Sequence, residues 1–308
     1  MTEQHSSLPA KLAAFAGIYV IWSTTYLAIA LAIRTVPPFT VGAVRYLTAG
    51  GLMYIWLRTR ESRPFDGLNI GGTILCGVLM SGVGNGLVMW AQQGIPSGVA
   101  ALFVASLPML ILLFDWAFFS RQRPARLATI GVLVGLAGMT VLATHAGGLS
   151  GRIHPIHMLA VLAAEVAWAV ATLLQRRFVP ARRILNFTCL QLLAGGVFQL
   201  TAAIVGRDWV ALAAHGVAGV SLLAVAYLTI MGTLVANNCY SYLIAHVSAH
   251  KVSTYALVNP VIALALGVVI LGEKVSWAML IASALVLLGV ALILFQGMRR
   301  RFAAAFPR

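Results

Sequence analysis

The sequence predicts an all-α integral membrane protein with ten transmembrane helices, arranged as two inverted five-helix repeats. Hydrophobic residues make up 61% of the 308 positions and charged residues only 9%, whereas a soluble domain carries about 25% charged residues. Lipid must therefore be the solvent for much of the surface. The net charge of +14 comes from basic residues in short gaps between apolar stretches. This pattern is typical of a membrane protein and not of a nucleic-acid-binding face.

Apolar stretches of membrane-spanning length follow one another along the whole chain. A helix needs about 20 apolar residues to cross a bilayer core of about 30 Å. Ten stretches meet this requirement: 13–33, 38–57, 69–92, 97–119, 126–144, 157–175, 186–205, 217–244, 252–271 and 277–297. The first stretch is too long for the apolar part of a cleaved signal peptide, so we expect it to remain as the first span. Loops of at most roughly 15 residues leave no room for a separate catalytic domain.

The distribution of basic residues predicts the orientation of the spans. Cytoplasmic loops of membrane proteins carry an excess of Lys and Arg. If the N-terminus lies inside, only four of the 21 Lys and Arg residues fall in outer loops, namely Arg34, Arg152, Arg207 and Lys274. Arg45 lies within a span, and all the others are on the inner side. We therefore expect a multi-pass protein of the cell inner (plasma) membrane with both termini in the cytoplasm.

An internal repeat is visible in the sequence. Trp22 and Trp168 stand 146 residues apart, and Asn85 and Asn237 stand 152 residues apart at matching places in their stretches. Similarity at a nearly constant interval indicates a duplicated structural unit, and the interval grows because the loop near Asp208 is longer than its counterpart.

The repeat divides the chain into two five-helix units, 13–144 and 157–297. Because five is an odd number, the second unit must enter the membrane from the opposite side to the first. Such inverted repeats are typical of secondary transporters, in which the substrate site lies near the bilayer midplane between the halves.

Six short motifs occur in a defined order along the chain. They are Ile21-Trp22-Ser23-Thr24-Thr25-Tyr26-Leu27, Val44-Arg45-Tyr46-Leu47, Val83-Gly84-Asn85-Gly86, Pro96-Ser97-Gly98, Asn259-Pro260 and Gly272-Glu273-Lys274. With these motifs, roughly residues 13 to 297 resemble the drug/metabolite transporter superfamily, specifically proteins with two EamA-type domains. The resemblance implies export or exchange of small organic molecules, such as amino acids and amphipathic drugs. In the first repeat, Ser120-Arg121-Gln122 stands where the family often has a Gly-Glu pair like Gly272-Glu273.

Polar residues at helical spacing mark candidate substrate-binding positions, because polar groups within a bilayer are costly. They are Ser81 and Asn85 on the third span, and Thr233, Asn237 and Ser241 at the equivalent positions of the eighth. Carboxamides offer both donors and acceptors, which suits a zwitterion or a hydroxylated metabolite. Hydrogen bonding between helices is the alternative interpretation.

Aromatic residues supply further candidates for substrate binding. Trp22 and Tyr26 lie four residues apart on the first span, and Trp168 occupies the matching place on the sixth. Tyr255 and Asn259 have the same four-residue spacing on the ninth. Three interpretations of rings at this depth are open: stacking on the substrate, closing a gate, and ordinary core packing.

Two charges lie deep within predicted spans and complete the candidate site. Arg45 and Glu165 are each about eight residues from the predicted outer surface, where an isolated charge costs roughly 3 kcal/mol. Their repeat equivalents, Leu190 and Tyr19, carry no charge, so the duplication does not account for either. Three interpretations stay open: a permanent ion pair, two alternating contacts for a substrate carboxylate, and a proton-carrying role for Glu165.

These features predict a secondary transporter that exports or exchanges small organic metabolites, amino-acid-like or amphipathic, by alternating access. Its partners would be the substrate and the lipid bilayer, with no nucleic acid, and it would act as a monomer or homodimer. The sequence contains no HExxH or GxSxG motif, so we expect no enzyme and no catalytic residue. Cys76, Cys189 and Cys239 lack metal-site spacing, and no cofactor or metal is expected. An intramembrane enzyme and a channel are the alternatives.

Overall fold

The computed structural model describes residues 8–121, 123–145, 155–178, 183–247, 252 and 254–305, and these residues form helices and no strands. We number the helices in chain order. They are α1 (Leu8–Ala32), α2 (Pro38–Arg58), α3 (Ile70–Ala91), α4 (Ser97–Phe119), α5 (Arg126–His145), α6 (Pro155–Phe178), α7 (Ile184–Val205), α8 (Asp208–His215), α9 (219–246), α10 (Tyr255–Leu271) and α11 (Trp277–Ala305).

Seven of these helices are long and apolar enough to cross a membrane, namely α1, α3, α4, α6, α7, α9 and α11. Shorter apolar segments lie in α5, at Arg126–Leu142, and in α10. Helix α2 has 21 residues but carries Arg45 near its middle. An all-α membrane protein is therefore confirmed, whereas the count of ten spans in two inverted repeats stays a prediction.

The short helix α8 was not predicted from the sequence. It fills the connection between α7 and α9 and begins at Asp208, directly after Arg207 in a left-handed conformation (φ 56°). Its eight residues are too few to cross a membrane. Its first residue is important because the Asp208 carboxylate reaches back to helix α2, as described below.

Helices α3 and α9 both contain a wide turn of π-helix near their middle. The π-helical segments are Val78–Gly84 in α3 and Leu228–Val235 in α9. Segments of this kind are rare in proteins and often lie at functional sites. They also alter the angular spacing of side chains, so the simple α-helical spacing assumed for Ser81 and Thr233 does not apply through these turns.

Helices from the two parts of the chain pack against each other in matching pairs. Helix α2 lies along α7, and α5 lies along α11. Helix α1 contacts α9 and α10, while α6 contacts α3 and α4. The backbones of α5 and α11 approach so closely that a Cβ atom on Gly289 would lie 2.5 Å from the carbonyl oxygen of Gly131.

Candidate functional site

Arg45 is buried between α2 and α9. Its Nε donates a hydrogen bond of 2.6 Å to the hydroxyl of Thr233, which in turn donates one of 3.0 Å to the carbonyl of Leu228 within the π-helical turn. The guanidinium carbon lies 4.9 Å from the centre of the Tyr46 ring. Within the described part of the chain, Nη1 of Arg45 is buried and has no hydrogen-bond partner. The two N–H donors of Nη1 are therefore available to a ligand.

Glu165 of α6 is completely buried. Neither of its carboxylate oxygens has a hydrogen-bond partner among the described residues. The carboxyl group lies within electrostatic range of the hydroxyls of Tyr26 and Tyr255. An acidic group in such surroundings needs a cation, a proton or a hydrogen-bond donor to offset the loss of water.

Arg45 and Glu165 do not form an ion pair in this structure. The ion pairs found among the described residues are Arg63–Asp66 and Arg183–Glu61, both outside this region. Arg45 bonds to Thr233, and its Nη2 lies near Gly232, where a Cβ atom would stand 3.5 Å away. The same Cβ would lie 3.0 Å from a side-chain methyl of Thr25, the residue before Tyr26. The two charges therefore have different neighbours and do not meet.

Three aromatic rings form a cluster where α1, α9 and α10 meet, which we call the aromatic cluster. It consists of Trp22, Tyr240 and Tyr255. The Trp22 ring centre lies 5.4 Å from that of Tyr240 and 5.0 Å from that of Tyr255. The two tyrosine rings are 6.2 Å apart and nearly perpendicular. Rings in such tilted and edge-to-face contacts form an apolar surface with electron-rich faces that attract cations.

Asn259, the other candidate on α10, is engaged with α1. Its Oδ1 accepts a hydrogen bond of 3.2 Å from the Ser23 hydroxyl. One turn away, the hydroxyls of Tyr19 and Thr254 are 2.5 Å apart. These contacts join α1 to α10 along one side and position Trp22 between them.

The polar residues of α3 point to different neighbours. Asn85 is half-buried, and its Nδ2 donates to the carbonyl of Met80 within its own helix at 3.1 Å. Ser81 is buried against α7, where a Cβ on Gly195 would lie 2.4 Å from it. Trp168 of α6 lies beside Gly84, at 3.5 Å from a Cβ placed there. The structure therefore brings Trp168 and Asn85 to the same stretch of α3, but it turns Ser81 towards α7.

A small cavity lies between α2, α7 and α9. Its lining combines polar and apolar side chains, namely Met53, Leu185, Thr188, Leu192, Thr233, Leu234, Asn237 and Asn238. Two of the predicted binding residues, Thr233 and Asn237, thus line one space, and Thr233 connects it to Arg45. The backbone of Ser241 belongs to α9, but its side chain lies outside the described residues.

Two residues of this region, the partly buried Tyr240 and the buried Gln199, were missed in the sequence. Tyr240 completes the aromatic cluster, and its spacing of three residues from Asn237 was the available signal. Gln199 of α7 is fully buried and donates from Nε2 to the carbonyl of Ser81 at 2.6 Å, while its Oε1 has no partner among the described residues. The available signal for Gln199 was its amide within the apolar stretch 186–205, where a polar side chain is costly.

Comparison with known proteins identifies the kind of protein that carries this site. The sequence profile of the EamA-like transporter family matches residues 10–144 and again residues 155–295. The chain belongs to the EamA-like transporter family. The resemblance to the drug/metabolite transporter superfamily is thereby confirmed, as is the prediction of a membrane transporter and not an enzyme.

The sequences of several relatives align with this EamA-like transporter over nearly its full length. The "Uncharacterized inner membrane transporter YedA" of Escherichia coli K12 is 34% identical over 289 residues, which cover 93% of this chain and 90% of that protein. The "Uncharacterized transporter YvbV" of Bacillus subtilis is 24% identical over 297 residues, covering 94% and 93%. A solved crystal structure with 25% identity superimposes with a TM-score of 0.65 and covers 96% of this chain and 99% of that one.

Proposed function

We propose that this transporter exports or exchanges small organic metabolites, amino-acid-like or amphipathic, across the inner membrane by alternating access. The observation that carries the proposal is the pair of buried, opposite and separate charges, Arg45 and Glu165. Each has polar atoms with no partner among the described residues. Such groups are expensive inside a membrane protein and are retained where a substrate or an ion supplies the missing interactions.

The two charges divide the proposed site into two parts of different chemistry. Arg45 and Thr233 offer donors to a carboxylate or another anionic group. Glu165, with the aromatic cluster and Tyr26, offers an acceptor and electron-rich rings to an amine and its apolar body. The other proposed contacts with substrate are Ser81, Asn85, Trp168, Asn237, Ser241 and Asn259. Arg45 and Glu165 do not pair with each other, so each would pair with a group of opposite charge on the substrate.

The proposed architecture is ten spans, α1–α7 and α9–α11, in two inverted units at 13–144 and 157–297. The pairing of helices supports it, because α1 packs on α9 and α10 as α6 packs on α3 and α4. The two π-helical turns support it as well, since Val78–Gly84 and Leu228–Val235 lie at nearly equivalent places of the two units. Both termini would be cytoplasmic on the basis of loop charge, and the carrier would act as a monomer or homodimer.

The test is a transport screen with the purified protein in proteoliposomes. Labelled amino acids and cationic dyes are offered, and uptake is measured with and without unlabelled substrate inside the vesicles. A carrier gives saturable uptake that internal substrate accelerates, because the loaded site returns faster than the empty one. Uptake that does not saturate would favour a channel, and product formation in detergent micelles without a second compartment would favour an enzyme.

A further inference from the structure

Helices α2 and α7 form a firmly joined pair, which we call the frame. At one end, the Asp208 carboxylate accepts hydrogen bonds from the N–H and the hydroxyl of Thr40 on α2, at 3.2 and 2.9 Å. At the other end, Glu61 beyond α2 accepts from the Asn186 amide on α7 and pairs with Arg183 at 3.4 Å. Hydrogen bonds to a carboxylate are among the stronger ones in proteins, so both ends of the frame are held.

The middle of the frame is closely packed. A Cβ atom on Gly50 of α2 would lie 2.9 Å from the side chain of Leu193 on α7. One on Gly196 of α7 would lie 2.9 Å from the side chain of Leu47 on α2. The two contacts are reciprocal, because a glycine of each helix faces a leucine of the other. Side chains that interlock in this way resist sliding and rotation of one helix on the other. The frame is therefore a stiff element against which other helices are positioned.

Each helix of the frame bonds to the π-helical turn of a helix in the other half of the chain. Arg45 of α2 bonds to the Thr233 hydroxyl in the turn of α9. Gln199 of α7 donates from Nε2 to the backbone carbonyl of Ser81 in the turn of α3, at 2.6 Å. A side chain that inserts beside the backbone hydrogen bonds of a helix is a recognised cause of local distortion. Both π-helical turns are thus held from the frame.

The amide of Gln199 occupies a space that glycines leave open. Gln199 is fully buried, and its Oε1 is 1.7 Å from the position that a Cβ atom would take on Gly42 of α2. Its amide carbon is 3.5 Å from the Cβ position of Gly86, which follows the turn in α3. Burying a carboxamide costs free energy unless it is hydrogen-bonded, and the Ser81 carbonyl bonds to Nε2. Glycines on two helices therefore make room for one polar contact with the turn.

Side chains in and next to the turns depend on the wide form of the helix. The Thr233 hydroxyl donates to the carbonyl of Leu228, five residues earlier. Nδ2 of Asn85 donates to the carbonyl of Met80, also five residues earlier. In a regular α-helix such side chains return to the carbonyl three or four residues earlier, whereas five residues is the hydrogen-bond interval of a π-helix. Closing a turn to α-helix would shift the rest of the helix by one residue, about 100° of rotation and about 1.5 Å along the axis.

We propose that Gln199 is a positioning residue of this transporter: it keeps the π-helical turn of α3 wide and thereby directs Asn85 towards the substrate. Arg45, through Thr233, does the same for the turn of α9. The two turns are the points at which α3 and α9 rotate against the frame, and loss of a frame contact lets the corresponding turn close. The effect on transport rests on the proposed carrier function, whereas the shape of the turns does not.

The experiment measures how the part of each helix beyond its turn lies relative to the frame. Distances between spin labels are recorded by double electron–electron resonance in detergent without substrate, in a Cys239→Ser background. The labels are attached at two pairs of exposed positions, Gln93→Cys with Val205→Cys for α3, and His246→Cys with Thr59→Cys for α9. One label of each pair lies beyond the turn, and the other lies at the end of a frame helix.

We expect Gln199→Met to shift the α3 distance by several ångströms and to leave the α9 distance at its parental value. Thr233→Val should give the reverse result, because each turn depends on its own frame contact. The shift follows from the rotation of about 100°, which carries a label across a helix about 10 Å wide. Parental distances in both variants would overturn the proposal. If Gln199→Met does not fold, Gln199→Asn replaces it, because its amide is one carbon too short to reach the Ser81 carbonyl.

Gln191→Met is the matched control for the loss of a buried amide. Gln191 lies on the same helix as Gln199 and is also buried, but its Nε2 faces the sulfur of Met80 at 3.0 Å and not a backbone carbonyl. Because a thioether is a weak acceptor, this variant should keep both distances. A shift in Gln191→Met equal to that in Gln199→Met would contradict the role of the Ser81 carbonyl.

Uptake in proteoliposomes then tests the link to the substrate. Gln199→Met should raise KM several-fold, because Asn85 is turned away from the substrate, whereas Gln191→Met should keep the parental KM. A parental KM in Gln199→Met despite a shifted distance would overturn the positioning role. A parent chain that transported nothing would contradict the carrier function, and the distances would still decide whether the frame contacts hold the turns.

Discussion

The guanidinium group of Arg45 and the hydroxyl of Thr233 are joined by a hydrogen bond of 2.6 Å, which connects α2 to the π-helical turn of α9. The bond orients the arginine and leaves its Nη1 without a partner among the described residues. Both residues belong to the proposed site, and the position of either one in the sequence does not indicate that they bond to each other. An oriented, buried cation with a free donor is suited to recognise an anionic group.

Removing the hydroxyl of Thr233 should weaken substrate binding through Arg45. In Thr233→Val the arginine loses its fixed position, and we expect the affinity for a carboxylate-bearing substrate to fall about tenfold, the usual effect of losing a hydrogen bond to a charged group. Thr233→Ser keeps the hydroxyl and should bind nearly as well as the parent. The measurement is KM for uptake in proteoliposomes. Equal KM values in the valine and serine variants would show that this bond has no part in binding.

Neutralising or exchanging the two buried charges should separate their possible roles. We expect the double variant Arg45→Glu with Glu165→Arg to lose transport, because each charge has its own neighbours and no ion pair is available to restore. Full transport by this variant would instead support a plain salt bridge formed in another state. Proton-driven flux is then followed against pH in Glu165→Gln. If flux survives with the same pH dependence as the parent, Glu165 does not carry the proton.

The two asparagines of the site should affect transport more than folding. An interhelical hydrogen bond in a membrane averages only about 0.6 kcal/mol, so Asn85→Ala and Asn237→Ala should insert at normal abundance. We expect each to reduce the transport rate several-fold, since Asn237 lines the cavity and Asn85 lies near Trp168. Flux is compared with the amount of protein in the membrane by immunoblot. Parental flux in both variants would reassign the two side chains to helix packing.

Close packing of α5 on α11 should make Gly289 intolerant of a side chain. A methyl group there would meet the carbonyl of Gly131 at 2.5 Å and the backbone nitrogen of Gly135 at 2.7 Å. We expect Gly289→Ala to lower the free energy of unfolding by about 1–3 kcal/mol, measured as a lower melting temperature in detergent. Gly51→Ala is the control, because a Cβ there has no atom within 4 Å. Equal melting temperatures for the two variants would contradict this packing.

The topology prediction is tested with reporters fused after Arg308. An even number of spans and the charge of the loops both predict a cytoplasmic C-terminus. A fluorescent protein that folds only in the cytoplasm should therefore be bright, and an alkaline phosphatase that works only in the periplasm should be inactive. The opposite result would rule out the ten-span arrangement.

Many residues of the candidate site were predicted from their types, but the contacts between them were not. Arg45, Thr233, Trp22 and Tyr255 were selected because polar, charged and aromatic groups at these positions are unusual within a span. The contact of Arg45 with Thr233 joins residues 188 positions apart, and that of Trp22 with Tyr255 joins residues 233 positions apart. Spacing along a single helix contains no information on which helix lies opposite. Gln199 was missed for the same reason, since its burial depends on the approach of α3 to α7.

By itself the sequence determined that the protein is helical, lies in a membrane and belongs to its family, because composition and apolar length reflect the solvent around the chain and the motifs are local. Only the tertiary structure decided that Arg45 and Glu165 remain apart, that π-helical turns interrupt α3 and α9, and that Glu273 joins α10 to α4. The physical reason is that partners of buried polar groups are chosen by helix packing, which depends on small residues such as Gly98 and Gly267 that admit a neighbouring group. The presence of a glycine in the sequence does not allow the group that packs beside it to be predicted.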